Sequence, residues 1–355
     1  MKVFYHLDCL LHNPPTEILD GKPVPYLESP SRITIIKSTL QEEPSYFDIT
    51  DKLDDDLDLK KWVLTVHENA YLDYLEKGYD DWIADGGDET GIFPETFPHI
   101  SLLRRGNLIP ENLSSIAKAG LYCFDLSSPI TRTTFQSIMA SLRVTLTSAN
   151  HVQNNQESAF ALCRPPGHHS MPSLCGGYCF LNNVAIATRF LQGQINCNTK
   201  TKIAILDIDY HHGNGTQEIF YEDPSVLYVS IHANNDYPYF TGAAKEEGEK
   251  EGKGFNHNFP LPRVSTGDDA YCKTLTRAVG IIMNFNPSYL VVSLGVDTHA
   301  EDPICEFNLS TEGYIQIGRI ISTTRRPTLF VLEGGYHLES LGHNVRNVLY
   351  GFQHS

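Results

Sequence analysis

Four apolar segments in this chain of 355 residues each run directly into residues with reactive or ligating side chains. The segments are residues 160–163, 202–206, 289–295 and 328–332. Each is short and apolar enough to form a buried strand of a parallel sheet. Residues 31–40, 131–152 and 267–284 have patterns typical of helices, residues 1–12 are expected to form a first strand, and the proline-containing run to residue 30 a loop. In the second half of the chain strands and helices alternate, as a parallel sheet requires. The sequence therefore predicts an α/β fold, with one open, mainly parallel β-sheet flanked by helices.

The second of these segments leads into the sequence DIDYHH at 207–212, which contains two carboxylates and two imidazoles. Buried charges are costly unless they are paired or bind a metal. In an extended segment, side chains two residues apart point to the same side. Asp209 and His211 can therefore bind one divalent cation. The alternative interpretation is an acidic, polar loop that ends a strand.

The other three segments lead to further polar groups, which are His168 and His169, Asp297, and Tyr336 behind two glycines. Each of these residues also has a structural interpretation when it is taken singly: Asp297 as a cap at the end of a strand, and Tyr336 as a ring packed at a strand end. Ligands of open α/β sheets bind beyond the carboxyl ends of the strands. Four such strand ends together predict one site, assembled from distant parts of the chain.

Four motifs give the chain a resemblance to a known family. They are CRPPGHH at 163–169, GGYCFLNN at 176–183, LDIDYHHGNGT at 206–216 and EGGY at 333–336. This combination resembles the arginase–deacetylase superfamily, specifically zinc-dependent deacetylases of the histone deacetylase and acetylpolyamine amidohydrolase type. The resemblance in motifs covers about residues 155–345 and implies the arginase–deacetylase fold.

Three shorter stretches are most similar to the acetylpolyamine amidohydrolase branch. They are VPYLE at 24–28, LGVDT at 294–298 and DPI at 302–304. The resemblance implies removal of an acetyl or other acyl group from an N-acetylated amine. Acetylpolyamines are the expected substrates, and acetyl-lysine in a peptide or histone is the alternative. In this branch a long insertion narrows the entrance and helps to build a homodimer, which suggests the same role for residues 79–113.

The resemblance assigns metal ligation to Asp209, His211 and Asp297. Three protein ligands leave a position for water, whose pKa a bound zinc ion lowers to about 7. Zn²⁺ is the expected metal. Two carboxylates and one imidazole form a harder site than thiolates do, so Fe²⁺, Mn²⁺ or Co²⁺ are alternatives. The family also suggests a structural K⁺ or Na⁺ near Asp207 and Ser230.

By the same resemblance, His169 is the general base that later protonates the leaving amine, and His168 assists electrostatically. An imidazole suits both proton transfers near neutral pH. Asp207 is expected to hold His168 by a hydrogen bond, and Asn214 is expected beside His169. The Tyr336 hydroxyl is expected to stabilise the negative charge that develops on the carbonyl oxygen.

Tyr178 and Tyr237 align with the aromatic rings that line the channel for the methylene stem in relatives. In the relatives that are specific for polyamines, acidic residues lie at the mouth of this channel. Glu111 and Asp125 are the candidates by region. The positions that align directly are the uncharged Ile116 and Ser127, and Ile304 stands where a polyamine-selective relative has a glutamate. These departures keep a lysine deacetylase as the alternative.

Two other classes of protein are weaker interpretations. An arginase-type hydrolase would need a two-metal cluster with more carboxylates, whereas this chain has Tyr336 and a pair of adjacent histidines. A non-catalytic binding protein of the same fold would be expected to lose Tyr336 or a ligand, and neither is lost. Catalysis is therefore the expectation.

Composition excludes some partners and favours others. The net charge of −16 argues against nucleic acid, which requires clustered lysine and arginine, and is compatible with cationic ligands. No stretch is apolar enough to span a membrane, and none of the eight cysteines forms a CxxC pair. We expect one cytoplasmic deacetylase domain, residues 1–355.

Overall fold

The computed structural model describes residues 1–99, 112–193 and 201–355. Ten strands are present in the described chain, and eight of them form one parallel sheet. The strands are β1 Lys2–Phe4, β2 Thr16–Leu19, β3 Lys22–Pro25, β4 Asp48–Thr50, β5 Ala159–Ala161, β6 Ile203–Asp207, β7 Val226–Ala233, β8 Asn256–Leu261, β9 Tyr289–Leu294 and β10 Thr328–Leu332. The short hairpin β2–β3 stands apart from the sheet.

Ten α-helices cover the sheet within the same described residues. They are α1 Ser31–Gln41, α2 Leu59–Val63, α3 Asn69–Ala84, α4 Ser115–Leu121, α5 Thr134–Asn155, α6 Asn183–Leu191, α7 Asn214–Phe220, α8 Asp268–Phe285, α9 Gly313–Ser322 and α10 Leu338–Gln353. The predicted helices at 31–40, 131–152 and 267–284 correspond to α1, α5 and α8.

The order of strands in the large sheet is β4-β1-β5-β10-β9-β6-β7-β8. Every residue of β5, β6, β7 and β10 is buried, as expected for strands covered by helices on both faces. All four predicted strands are confirmed, and they lie side by side at the centre of the sheet. Their carboxyl ends therefore open onto the same edge of the sheet.

The amino-terminal region differs from its prediction. A strand was expected over residues 1–12, but β1 ends at Phe4 and a short 3₁₀-helix, Leu7–Leu10, follows it. The proline-containing loop predicted up to residue 30 contains the hairpin β2–β3. The two strands of this hairpin pair with each other, and the Ile18 N–H donates to the Leu126 carbonyl at 3.4 Å.

The long loop predicted at 79–113 begins later than expected. Helix α3 continues to Ala84, and Trp82 and Ile83 in this last part of the helix pack against the core. The predicted lower boundary is therefore wrong by more than one helical turn. Residues 100–111, including Glu111, lie outside the described chain.

Among the described residues, no helix combines the length and the apolar character that crossing a membrane would need.

Candidate active site

The carboxyl ends of β5, β6, β9 and β10 bring the predicted site residues together. Asp207 is the last residue of β6, and Asp209 and His211 follow it. The loops after β5, β9 and β10 supply the two adjacent histidines, Asp297 and Tyr336. All of these side chains are at least nine-tenths buried. Residues separated by more than 160 positions thus meet at one edge of the sheet, as parallel topology requires.

Asp209, His211 and Asp297 form a compact group of two carboxylates and one imidazole. Nδ1 of His211 lies 3.1 Å from Oδ2 of Asp297 and 3.3 Å from Oδ1 of Asp209. Backbone groups hold both carboxylates, since the Gly334 N–H donates to Asp209 at 2.8 Å and the Tyr210 N–H donates to Asp297 at 2.8 Å. The side chains are therefore fixed before any ligand binds.

The chemistry of this group fits a divalent cation. Tetrahedral zinc with bonds of about 2.0–2.2 Å places neighbouring ligand atoms roughly 3.3–3.6 Å apart. Without a metal, burial and the neighbouring Asp209 raise the pKa of Asp297 to about 7. Although burial lowers the pKa of His211, Asp209 and Asp297 outweigh it and raise that pKa to about 10. A divalent cation would relieve the repulsion between two buried carboxylates.

Cys305 is a further side chain beside this group. Its sulfur lies within 4.8 Å of ligand atoms of His211 and Asp297. Burial and the nearby Asp297 raise the pKa of the Cys305 thiol well above its usual value. The predicted ligand Asp209 is also adjacent, since its Oδ1 lies 3.3 Å from Nδ1 of His211.

His168 is held in a strongly anionic environment. Its Nδ1 lies 3.1 Å from Oδ2 of Asp207, and the Tyr228 hydroxyl donates to the same oxygen at 2.9 Å. Burial alone lowers the pKa of His168, but Asp209 and Asp207 outweigh burial and raise it to about 10. Asp207 therefore lies where the prediction put it, and the surrounding carboxylates favour the protonated form of His168.

His169 has the opposite electrostatic environment. Its Nδ1 lies 2.8 Å from Oδ1 of Asn214, which is a neutral partner. Burial, together with the positive charges of His168 and His211, lowers the pKa of His169 well below its usual value. An amide oxygen only accepts hydrogen bonds, so Nδ1 of His169 carries the proton. The Nε2 atom of His169 is consequently free to accept one.

Tyr336 is positioned by residues that the sequence reasoning did not identify. The Arg32 guanidinium donates to the carbonyl oxygens of Gly335 at 2.7 Å and Glu333 at 2.5 Å. The Tyr336 N–H donates to Asp302 at 2.7 Å. Gly335 adopts a φ of +124°, which only glycine takes without strain. The loop before the tyrosine is thus fixed on both sides.

Tyr336→Phe is expected to lower kcat by about 100-fold or more, the scale of losing one donor to a developing oxyanion. Metal content and KM should change little, because the hydroxyl is the only group removed. Steady-state kinetics on metal-loaded protein measures the effect. Tyr26→Phe is a control for loss of a buried hydroxyl from the same tyrosine cluster, because the Tyr26 hydroxyl lies 3.0 Å from Nε2 of His12. A kcat of Tyr336→Phe close to that of the wild type would contradict the role of Tyr336.

A cavity of about 420 Å³ leads from the surface to this group. Tyr178 and Tyr237 line it, as predicted from the sequence. The Tyr178 ring lies 5.4 Å from that of Tyr336, and the Tyr237 ring lies 4.9 Å from that of His169. Two aromatic rings therefore stand close to the position where an amide would react.

The cavity mouth is predominantly acidic. The carboxylates among its described lining residues are Asp20, Asp125, Asp236 and Glu306. The guanidinium of Arg263 pairs with Glu306 at 2.8 Å and Asp236 at 3.1 Å. Asp125 was a candidate from the sequence, whereas the other three carboxylates were missed. One guanidinium cannot neutralise four carboxylates, so the mouth attracts cations.

The uncharged positions noted in the sequence have different locations. Ser127 and Ile304 line the same cavity. Ile116 lies on α4 and is 42% exposed. The cavity therefore has uncharged side chains at these two positions, and its acidic residues lie at other positions.

Ser230 lies beside Asp207 in the sheet, because the two residues are register partners in β7 and β6. The Ser230 hydroxyl lies 2.8 Å from Nδ1 of His232. The two residues predicted to hold a monovalent cation are therefore neighbours in the sheet.

Comparisons with known proteins agree with this architecture. Residues 26–352 match the family model of the histone deacetylase domain. The chain is 43% identical over 353 residues to acetylpolyamine amidohydrolase 1 of Pseudomonas aeruginosa, with 98% of each chain covered. It is 37% identical to the acetylpolyamine amidohydrolase of Mycoplana ramosa, with 99% of each covered.

Solved structures are also similar. The crystal structure of an acetylpolyamine aminohydrolase from Burkholderia pseudomallei has a TM-score of 0.90 and 34% identity, and covers 100% of this chain and 99% of its own. The HDA15 HD domain has a TM-score of 0.77 at 24% identity and shares the fold, covering 98% of this chain and 86% of its own.

Proposed function

This chain belongs to the histone deacetylase domain family, and we propose that it removes acetyl groups from acetylated polyamines by metal-dependent hydrolysis of the amide bond. One observation carries the proposal. Asp209, His211, Asp297, His169 and Tyr336 meet at the floor of a cavity whose mouth is acidic. An acetylated polyamine combines the amide that these groups cleave with ammonium groups that an acidic mouth attracts.

Asp209, His211 and Asp297 would hold the metal, which supplies Lewis acidity and lowers the pKa of water when it is bound. His169 takes the proton of the attacking water at Nε2, because its Nδ1 is committed to Asn214. It then delivers that proton to the leaving amine. The positive charge of His168 and the Tyr336 hydroxyl stabilise the negative charge that develops on the substrate oxygen.

Zn²⁺ is the metal we propose, with Fe²⁺, Mn²⁺ or Co²⁺ as alternatives for this oxygen- and nitrogen-rich ligand set. We propose K⁺ or Na⁺ for the second position, near Asp207 and Ser230. The adjacency of these two residues in the sheet supports this proposal. A homodimer and a cytoplasmic location remain predictions from the sequence.

The names of the relatives support a small acetylated amine as the substrate. A protein or histone acetyl-lysine deacetylase is the second candidate, and the uncharged Ser127 and Ile304 at the cavity favour it. Both substrates present an N-acetyl group on a methylene stem, so the residues at the floor do not separate them. The difference lies at the mouth, where the rest of the substrate binds.

The test is kcat/KM on zinc-loaded protein for N-acetylputrescine, N-acetylspermidine and N-acetylcadaverine beside an acetyl-lysine tripeptide. We expect a preference of at least about tenfold for the small amines, corresponding to about 1.4 kcal/mol of transition-state binding. A preference for the tripeptide would support a protein deacetylase. No turnover of any substrate by metal-replete protein would support a non-catalytic binding protein.

A further inference from the structure

Arg263 joins two loops at the mouth of the cavity. It lies in the loop after β8, and its Nε is 2.8 Å from Oε2 of Glu306 and 3.1 Å from Oδ2 of Asp236. Asp236 belongs to the loop after β7 and Glu306 to the loop after β9. Among the described residues that line the cavity, Arg263 is the only lysine or arginine. We call these three side chains the Arg263 cluster.

The other two carboxylates at the mouth lie outside the Arg263 cluster. Asp20 is exposed at the turn of the hairpin β2–β3 and lines the cavity. Oδ2 of Asp125 accepts from the Ser127 hydroxyl at 2.7 Å, the Tyr237 hydroxyl at 2.7 Å and the Gly177 N–H at 2.8 Å, which are all neutral donors. The mouth therefore has one anionic side, and another side on which a guanidinium offsets part of the negative charge.

The loop that carries Asp236 is also held by groups other than the guanidinium. The Tyr210 hydroxyl donates to Oδ2 of Asp236 at 2.6 Å, and the Tyr237 N–H donates to Oδ1 at 2.7 Å. The side chains of Arg263 and Glu306 are 39% and 46% exposed, and ion pairs between exposed groups contribute little to stability. The main contribution of Arg263 to the mouth is therefore one positive charge.

We propose that Arg263 disfavours each further ammonium group that a substrate brings to the mouth, and so shifts specificity toward acetylated diamines and away from acetylated triamines and tetramines. This proposal deepens the proposed function and rests on it. Asp20 and Asp125 attract the first ammonium group. Any further ammonium group shares the same cavity of about 420 Å³ with the guanidinium, and like charges repel. A Debye length of about 8 Å at physiological salt leaves this repulsion only partly screened.

Two substrates isolate the effect of the further ammonium group. N-acetylputrescine and N⁸-acetylspermidine share the acetyl group, the stem of four methylenes and the nitrogen at its end. N⁸-acetylspermidine adds an aminopropyl arm, which carries a second positive charge. The ratio of their kcat/KM values therefore reports on the extra charge, since the part of the substrate that reaches the floor of the site is the same. N-butylacetamide has a stem of the same length without any charge.

The experiment compares wild-type protein with Arg263→Gln, both zinc-loaded, at low ionic strength. Loss of the guanidinium should raise kcat/KM for N⁸-acetylspermidine relative to N-acetylputrescine by about two- to fivefold, the scale of one pair of charges at about 8 Å in a largely aqueous mouth. The change should appear in KM, because Arg263 contacts none of the reacting groups. It should shrink in high salt, and kcat/KM for N-butylacetamide should stay constant.

Three further variants separate charge from structure. Arg263→Lys keeps the charge, so its ratio should equal that of the wild type. Glu306→Gln removes a negative charge from the same cluster and should move the ratio in the opposite direction. Arg319→Gln makes the same change of net charge at an exposed position of α9, outside the cavity lining, and should leave the ratio unchanged. Equal changes for both amines in Arg263→Gln, or the same ratio in Arg263→Lys as in Arg263→Gln, would overturn the proposal.

A binding measurement separates this proposal from the proposed function. Calorimetry on zinc-loaded protein gives the Kd of the products putrescine and spermidine without any turnover. Arg263→Gln should strengthen the binding of spermidine more than that of putrescine, by a factor similar to the change in the kinetic ratio. If wild-type protein hydrolyses no acetylated amine, the proposed function fails, whereas equal changes in these two Kd values would overturn the role of Arg263.

Discussion

Asp297→Ala is expected to lose metal binding and amide hydrolysis together. The side chain is fully buried, and its Oδ2 lies 3.1 Å from Nδ1 of His211. Its removal leaves one carboxylate and one imidazole, fewer than the three protein ligands of a catalytic zinc site. Metal analysis after dialysis should find stoichiometric metal in the wild type and almost none in the variant, with no detectable turnover.

Thermal stability provides a readout that does not depend on activity. A ligand present at about 1,000 times its Kd stabilises the folded state by about 4 kcal/mol. Added Zn²⁺ should therefore raise the Tm of the wild type by several degrees and leave that of Asp297→Ala unchanged. Asp48 is the first residue of the edge strand β4, so it lies at the amino end of the sheet, away from the site. Added Zn²⁺ should raise the Tm of Asp48→Ala as it does that of the wild type. An active, metal-replete Asp297→Ala protein would contradict the ligand assignment.

The Asn variant separates ligation from folding at the same position. Oδ1 of Asp297 accepts the Tyr210 N–H at 2.8 Å, and an asparagine oxygen can accept the same hydrogen bond. Asp297→Asn should therefore fold with the wild-type backbone while binding metal much more weakly, because the charge is gone. Loss of folding in Asp297→Ala but not in Asp297→Asn would trace that loss to the unsatisfied Tyr210 N–H.

The centre of the fold and the floor of the site could be predicted from the sequence for one physical reason. The strands β5, β6, β9 and β10 are nearly continuous apolar runs, and a polar residue after each run marks its carboxyl end. Parallel strands bring these ends to one edge, so distant residues meet there. Elements outside the centre carry weaker signals, and β1 is only three residues long.

The groups that orient the site could not be predicted in the same way. Arg32 holds the Tyr336 loop through backbone carbonyls about 300 positions away. A carbonyl acceptor has no side-chain identity, so no pattern in the sequence announces it. The signal present was the pair Glu28 and Arg32, four residues apart in a buried ion pair with Arg164. Burial of such a cluster becomes visible only in three dimensions.

The acidic mouth was hidden for a related reason. Asp20 lies at the hairpin β2–β3, while Asp236 and Glu306 lie in loops after β7 and β9. Each is one acidic residue in a polar loop, which in most proteins is a solvated surface position. Their common function depends on three loops converging, and loop conformation is the part of a fold that sequence periodicity constrains least.

His169→Ala is expected to retain its metal and lower kcat by about 100- to 10,000-fold, the range that one general acid–base group contributes. Burial lowers the pKa of His169 well below its usual value, so the imidazole is neutral and able to accept a proton at pH 7. By contrast, Asp207 accepts a hydrogen bond from His168 and raises its pKa, which favours the protonated imidazole. His168→Ala should accordingly lose charge stabilisation of the transition state without losing the base.

Chemical rescue by added imidazole distinguishes these two histidines. In His169→Ala, added imidazole should restore part of kcat, with a dependence on pH that follows the fraction of neutral imidazole. The cavity left by the missing ring opens beside Asn214 and gives the added base a place to bind. His168→Ala should show no such rescue, because its ring acts as a buried cation that Asp207 orients. Rescue of His168→Ala instead of His169→Ala would reverse the two roles.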